Sequence, residues 1–127
     1  MRPPIPDDVH RFVLTSIASV PLLEALLLLR ANPTLTWSAV TLAQRLFVNP
    51  AVANELLSQL CESGLAAPTD PVGSFRWNPD SPVAHIVDKL AGVYAVNVVD
   101  VTGLIHARQE RRAIRFADAF RLRKKQE

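Results

Sequence analysis

The sequence predicts a mainly α-helical protein with one small β-hairpin, then a long helix and a basic helix at the carboxyl end. Three observations predict it. Apolar residues recur three and four apart through most of the 127 residues. Helix-start signals stand where those stripes begin: Ser19 before Pro21, and Asn49 before Pro50. A stretch with Pro68, Pro71 and Gly73 separates two short apolar runs, 65–67 and 75–77, as a hairpin loop separates strands. The chain is 49% apolar and 20% charged, a globular balance. One core at this length buries about two-thirds of the unfolded surface, so no staple is required.

Pro3, Pro4 and Pro6 make an extended lead-in. Asp7 or Asp8 then starts a helix to about residue 17, with acids at its positive end. The helix over 20–31 is apolar almost all round, which predicts a central, buried position. Asn32-Pro33 ends it. A third helix covers about 38–47, capped by Thr36 or Ser38, with Val40, Leu42, Ala43 and Leu46 as its inward stripe. The fourth runs over 50–63, and Ala53, Leu56, Leu57 and Leu60 form one buried stripe. Gly64 suits the cap beyond its end. Ser81-Pro82 starts a fifth helix, about 82–106, and a last helix covers roughly 110–124. The organisation expected is a unit over 1–80 and a helical extension over 81–127.

The offsets from Leu42 and Ala43 through Leu46 and Val48 to Ala53, Leu57, Leu60 and Gly64-Leu65 lock two helices around a short turn and lead into the hairpin. Over about residues 36–78 this framework resembles the winged helix-turn-helix domain of bacterial transcriptional regulators. The resemblance implies that the second helix of the pair enters the major groove of DNA, while basic residues there and on the wing hold phosphates. Carried onto this chain, it makes Asn49, Asn54 and Ser58 base-contact candidates, with Thr36, Ser38, Arg45 and Arg76 near the backbone. The helix 50–63 departs from the family pattern, for it has no lysine or arginine and carries Glu55 and Glu62. Two functions therefore stand side by side: a dimeric DNA-binding regulator, and a degenerate winged helix that serves as a protein-interaction module.

On the fifth helix, Ile86, Leu90, Val93, Asn97, Val101 and Leu104 alternate three and four apart, a coiled-coil-like seam. Such a stripe serves either a homodimer or the chain's own core. Asn97 interrupts it, as polar residues do where they fix register. Gly103 marks a break before the last helix. The net charge of +2 hides an asymmetry: residues 1–80 are mildly acidic, and the bases gather in 108–125. There Arg111, Arg112, Arg115, Arg123, Lys124 and Lys125 surround a narrow apolar stripe of Ala113, Phe116, Ala117 and Phe120. The segment is a solvated cap, a clamp on the DNA backbone or a contact for an anionic membrane surface.

Cys61 is the only cysteine, which excludes an internal disulfide and a four-cysteine zinc site. His10, His85 and His106 lack metal-ligand spacing with one another and with Cys61. No glycine-rich phosphate loop and no Ser-His-acid constellation can be assembled. The sequence thus predicts no cofactor and no enzyme. The first residues lack the basic start and apolar run of a signal peptide, and the longest apolar run is too short to span a bilayer. A cytoplasmic protein without integral membrane association is expected.

Overall fold

The computed structural model describes the backbone of residues 3–125 and the side chains of residues 3–119. Helix α1 (Asp7–Ser16) carries Asp7 and Asp8 in its first turn, where carboxylates complement the helix dipole. It buries Val9, Phe12 and Val13 at i, i+3 and i+4. Ser19 caps α2 (Val20–Ala31), its hydroxyl accepting from the Leu22 amide at 3.2 Å. Leu22, Leu23, Ala25, Leu26 and Leu29 are buried, and α2 packs against the two helices that follow it.

Helix α3 (Ala39–Leu46) starts in a reciprocal cap. The Ser38 hydroxyl accepts from the Thr41 amide at 3.2 Å, and the Thr41 hydroxyl accepts from the Ser38 amide at 2.8 Å. Its inward stripe is Ala39, Leu42, Ala43 and Leu46. Val40, expected on that stripe, is 55% exposed. It sits two residues, about 200° of helical turn, from Leu42 and so faces the other way. Asn49 caps α4 (Pro50–Glu62) by accepting from the Val52 amide at 2.9 Å. Ala53, Leu56, Leu57 and Leu60 are buried as their spacing predicts. Gly64 (φ +75°) turns the chain, and the Leu65 amide reaches back to the Leu60 carbonyl at 2.9 Å.

Strands β1 (Ala66–Thr69) and β2 (Ser74–Trp77) pair antiparallel, with Ala66 opposite Trp77 and Thr69 opposite Ser74. Trp37, just before α3, extends this small sheet. It and Phe75 exchange both amide hydrogen bonds, at 2.7 and 2.8 Å. The hairpin is thereby tied to the segment leading into α3, and α4 packs on β1.

The single helix expected over 82–106 is two helices. Helix α5 (Ala84–Val96) ends at Asn97, and α6 (Val98–Lys125) leaves it at a bend of 114°. The cause is the Asn97 side chain, which is buried. Its Nδ2 donates to the Pro3 carbonyl and to Asp100 Oδ2, both at 3.0 Å, and its Oδ1 accepts from the Asp100 amide at 3.4 Å. One asparagine thus ends one helix, caps the next and anchors the amino-terminal lead-in. Gly103 does not break the chain, because α6 runs straight through it.

The expected straight seam is bent at Asn97 as a result. Ile86, Leu90 and Val93 lie on α5, and Val101 and Leu104 lie on α6. Leu90 and Val101 are fully buried, while Ile86, Val93 and Leu104 pack half-buried against the same core. Helices α5 and α6 pack on α1, and their Val87, Leu90, Val101 and Ile105 share one cluster with Leu26 of α2 and Leu57 of α4. Residues 81–105 therefore complete the core of the residues before them. Beyond Arg108, every described side chain of α6 is exposed, including Phe116 at 75%. Phe120, Arg123, Lys124 and Lys125 lie outside the described side chains. Among the described residues, no single helix is long and apolar enough to cross a membrane.

Candidate nucleic-acid interface

The outer face of α4 is what its buried stripe leaves over: Ala51, Val52, Asn54, Glu55, Ser58 and Glu62, all exposed. Asn54 and Ser58 are four residues apart and share one side of the helix. Neither is engaged by another described residue, so both are available to a ligand. Asn49 is exposed at the first turn, but its carbonyl oxygen holds the α4 cap. Ser38 is likewise occupied, since its hydroxyl serves α3. Thr36 is exposed in the loop ahead of Trp37.

The two cations expected here flank the Trp37–Phe75 bridge. Arg45, in the last turn of α3, sets its guanidinium 5.7 Å from the centroid of the Trp37 ring, a cation–π contact. Arg76 follows Phe75 on β2 and is exposed. Arg45 thus stacks on the bridge's tryptophan, Arg76 stands on the adjacent strand position, and the hairpin packs on α4. Glu55 and Glu62 remain on the exposed side of α4, where they repel phosphate.

Three further features belong to this part of the molecule. Phe47 closes α3 in the left-handed conformation (φ +58°, ψ +42°) and is 94% exposed. Val40 on α3 and Val52 on α4, 40% exposed, are apolar and exposed as well. The indole nitrogen of Trp37 is buried without a hydrogen-bond partner. Periodicity misplaces Val40 and does not reach Phe47, because an exposed apolar side chain breaks the inside–outside pattern from which periodicity is read. The proline after Asn49 did locate the turn.

The basic segment lies elsewhere. Arg111, Arg112 and Arg115 line a cleft between α6 and α1 together with Arg108, Leu14 and Thr15. Burial, and secondly the Arg112 charge, push the Arg108 guanidinium below its ordinary value. Gln109 ties α6 to the end of α1, its amide donating to the Ala18 carbonyl at 3.1 Å. Among the described residues, no three His, Cys, Asp or Glu side chains are placed to hold a metal ion. No family model, curated protein or solved structure matches the chain.

Proposed function

We propose that this chain is a winged helix-turn-helix protein of the kind found in bacterial transcriptional regulators, and that as a dimer it contacts DNA through α4. The observation that carries the proposal is the Trp37–Phe75 bridge. It joins the segment before α3 to the hairpin and so ties the helix pair to the hairpin, with Asn54, Ser58, Arg45 and Arg76 all exposed. An asparagine side chain matches the donor–acceptor pair of adenine, and arginines hold phosphates.

The contact is a weak one by charge. Two phosphate contacts per protomer give a salt slope of about −1.8 in log K against log salt, and pairing of two copies doubles it. A mobility shift against genomic fragments tests the proposal. Binding at moderate salt is expected, lost in Asn54→Ala with Arg76→Ala and kept when residues 110–127 are deleted. Absence of binding, or binding that depends wholly on the α6 arginines, overturns it.

A second function is favoured by Phe47. A bulky residue held exposed in the left-handed region between α3 and α4, which also expose Val40 and Val52, suits a protein partner better than a phosphate backbone. On that alternative the same face is a protein-interaction module. Phe47→Gly then abolishes capture of the partner while leaving any DNA shift intact.

A further inference from the structure

Past Ile105, the stripe of α6 that lines the cleft with α1 is cationic. Arg108, Arg111, Arg112 and Arg115 stand at i, i+3, i+4 and i+7, and with Leu14 and Thr15 they line a cleft of about 370 Å³. Four like charges on one stripe oppose one another and disfavour the helix unless something answers them. Among the described residues, no ion pair does so. The described ion pairs join Arg30 to Asp88 and Lys89 to Asp8, and the α1 wall of the cleft offers no carboxylate. The Arg108 Nη1 atom is moreover buried with no hydrogen-bond partner. A buried guanidinium nitrogen without an acceptor is among the costlier arrangements a fold can keep.

A ligand with clustered anionic oxygens relieves the repulsion among the arginines that line the cleft. A guanidinium fork fits phosphate oxygens two at a time, and the cleft has the size of a small-molecule site. The cleft is also remote from the reading half of α4. Thr15 lines both this cleft and its neighbour, which is built with Gln59, Glu62 and Ser63 at the carboxyl end of α4, whereas Asn49 and Asn54 lie toward the other end.

We propose that the cleft between α1 and α6 binds the phosphoryl group of a small phosphorylated anion, held by the four arginines that line it, Arg108, Arg111, Arg112 and Arg115. The site is separate from the DNA contact proposed above and requires no DNA.

Titration calorimetry of the full chain with inorganic pyrophosphate, at low salt, tests it. Saturable one-site binding is expected, weakened about tenfold or more in Arg108→Gln with Arg112→Gln. The charge-matched control, Arg45→Gln with Arg76→Gln, keeps the affinity. Thermal melts guard against a folding defect: pyrophosphate raises the midpoint of the wild type and of the control but not of the cleft variant, whose own midpoint is no lower than the wild type's. Displacement of bound pyrophosphate by phosphatidate-containing vesicles supports the proposal with a lipid headgroup as the source. Failure to displace it supports the proposal with a soluble anion. No saturable binding at millimolar pyrophosphate overturns it, as does equal weakening in both double variants. Complete displacement by duplex DNA overturns it in favour of a backbone clamp.

Discussion

Phe47 holds a backbone conformation that costs a residue with a Cβ about 1–2 kcal/mol, and it does so with its ring almost wholly in solvent. Phe47→Gly removes that strain and sacrifices little packing. A gain in stability of up to about 1 kcal/mol is expected after the entropy cost of glycine, read from the urea midpoint. Asn97 is the opposite case, a polar side chain fully used inside the protein. Asn97→Ala leaves the Pro3 carbonyl and the start of α6 without their partner and lowers stability by about 1–3 kcal/mol in the same measurement. Asp8 supplies a pH signature. Its carboxylate accepts from Lys89 Nζ at 2.7 Å, and this hydrogen bond, first among the causes, holds its pKa below the ordinary 3.8. A lowered carboxylate pKa stabilises the fold above the unfolded value and is lost as pH falls through the folded one. Acid melts should therefore show the wild type losing stability below pH 3.8 more steeply than Lys89→Met.

Among the elements, α5 and the first part of α6 are structural members, and the rest of α6 is not. Val87, Leu90, Val101 and Ile105 are fully buried. Burying four aliphatic side chains contributes about 6–12 kcal/mol, comparable to the whole stability of a domain. A chain ending at residue 81 is therefore expected to be unfolded by circular dichroism. Deletion of residues 110–127 removes no buried described side chain and should move the thermal midpoint by less than about 5 °C, the equivalent of roughly 1 kcal/mol at this size. The pair separates the two halves of what periodicity alone presents as one amphipathic region. It also changes what the stripe on α5 means. Its apolar residues serve the chain's own core, so a homodimer must use other surfaces, such as the exposed Val96, Val98 and Val99 at the corner between α5 and α6.

At the scale of the whole molecule, charge and shape divide the labour between two faces. The helix pair and hairpin offer two arginines, an asparagine and a serine beside acids and exposed apolar groups. The cations that raise the isoelectric point sit on α6, around a cleft against α1. A DNA contact confined to α4 keeps its modest salt slope after residues 110–127 are removed. One that borrows the α6 arginines loses both affinity and slope. The measurement thus locates the polyanion as well as detecting it.

The local elements were determined by the sequence itself. Caps and starts at Ser19, Ser38 and Asn49, the stripe on α4, the turn at Gly64 and the hairpin all depend on neighbours within a few residues, and the helices before the hairpin and the hairpin itself stand where those signals put them. What lay beyond it depends on contacts between distant residues. Asn97 reads as a register-setting interruption along one helix, but at the corner its side chain bonds both Asp100 and the Pro3 carbonyl, 94 residues away. Val40 reads as core until the packing of Leu42 and Ala43 fixes which side of α3 is inward. The arginines of α6 read as a solvated face, because no local pattern reveals that α1 lies across from them. Tertiary structure decided these points because burial and electrostatic pairing are set by what stands opposite a side chain, and periodicity records only its own helix.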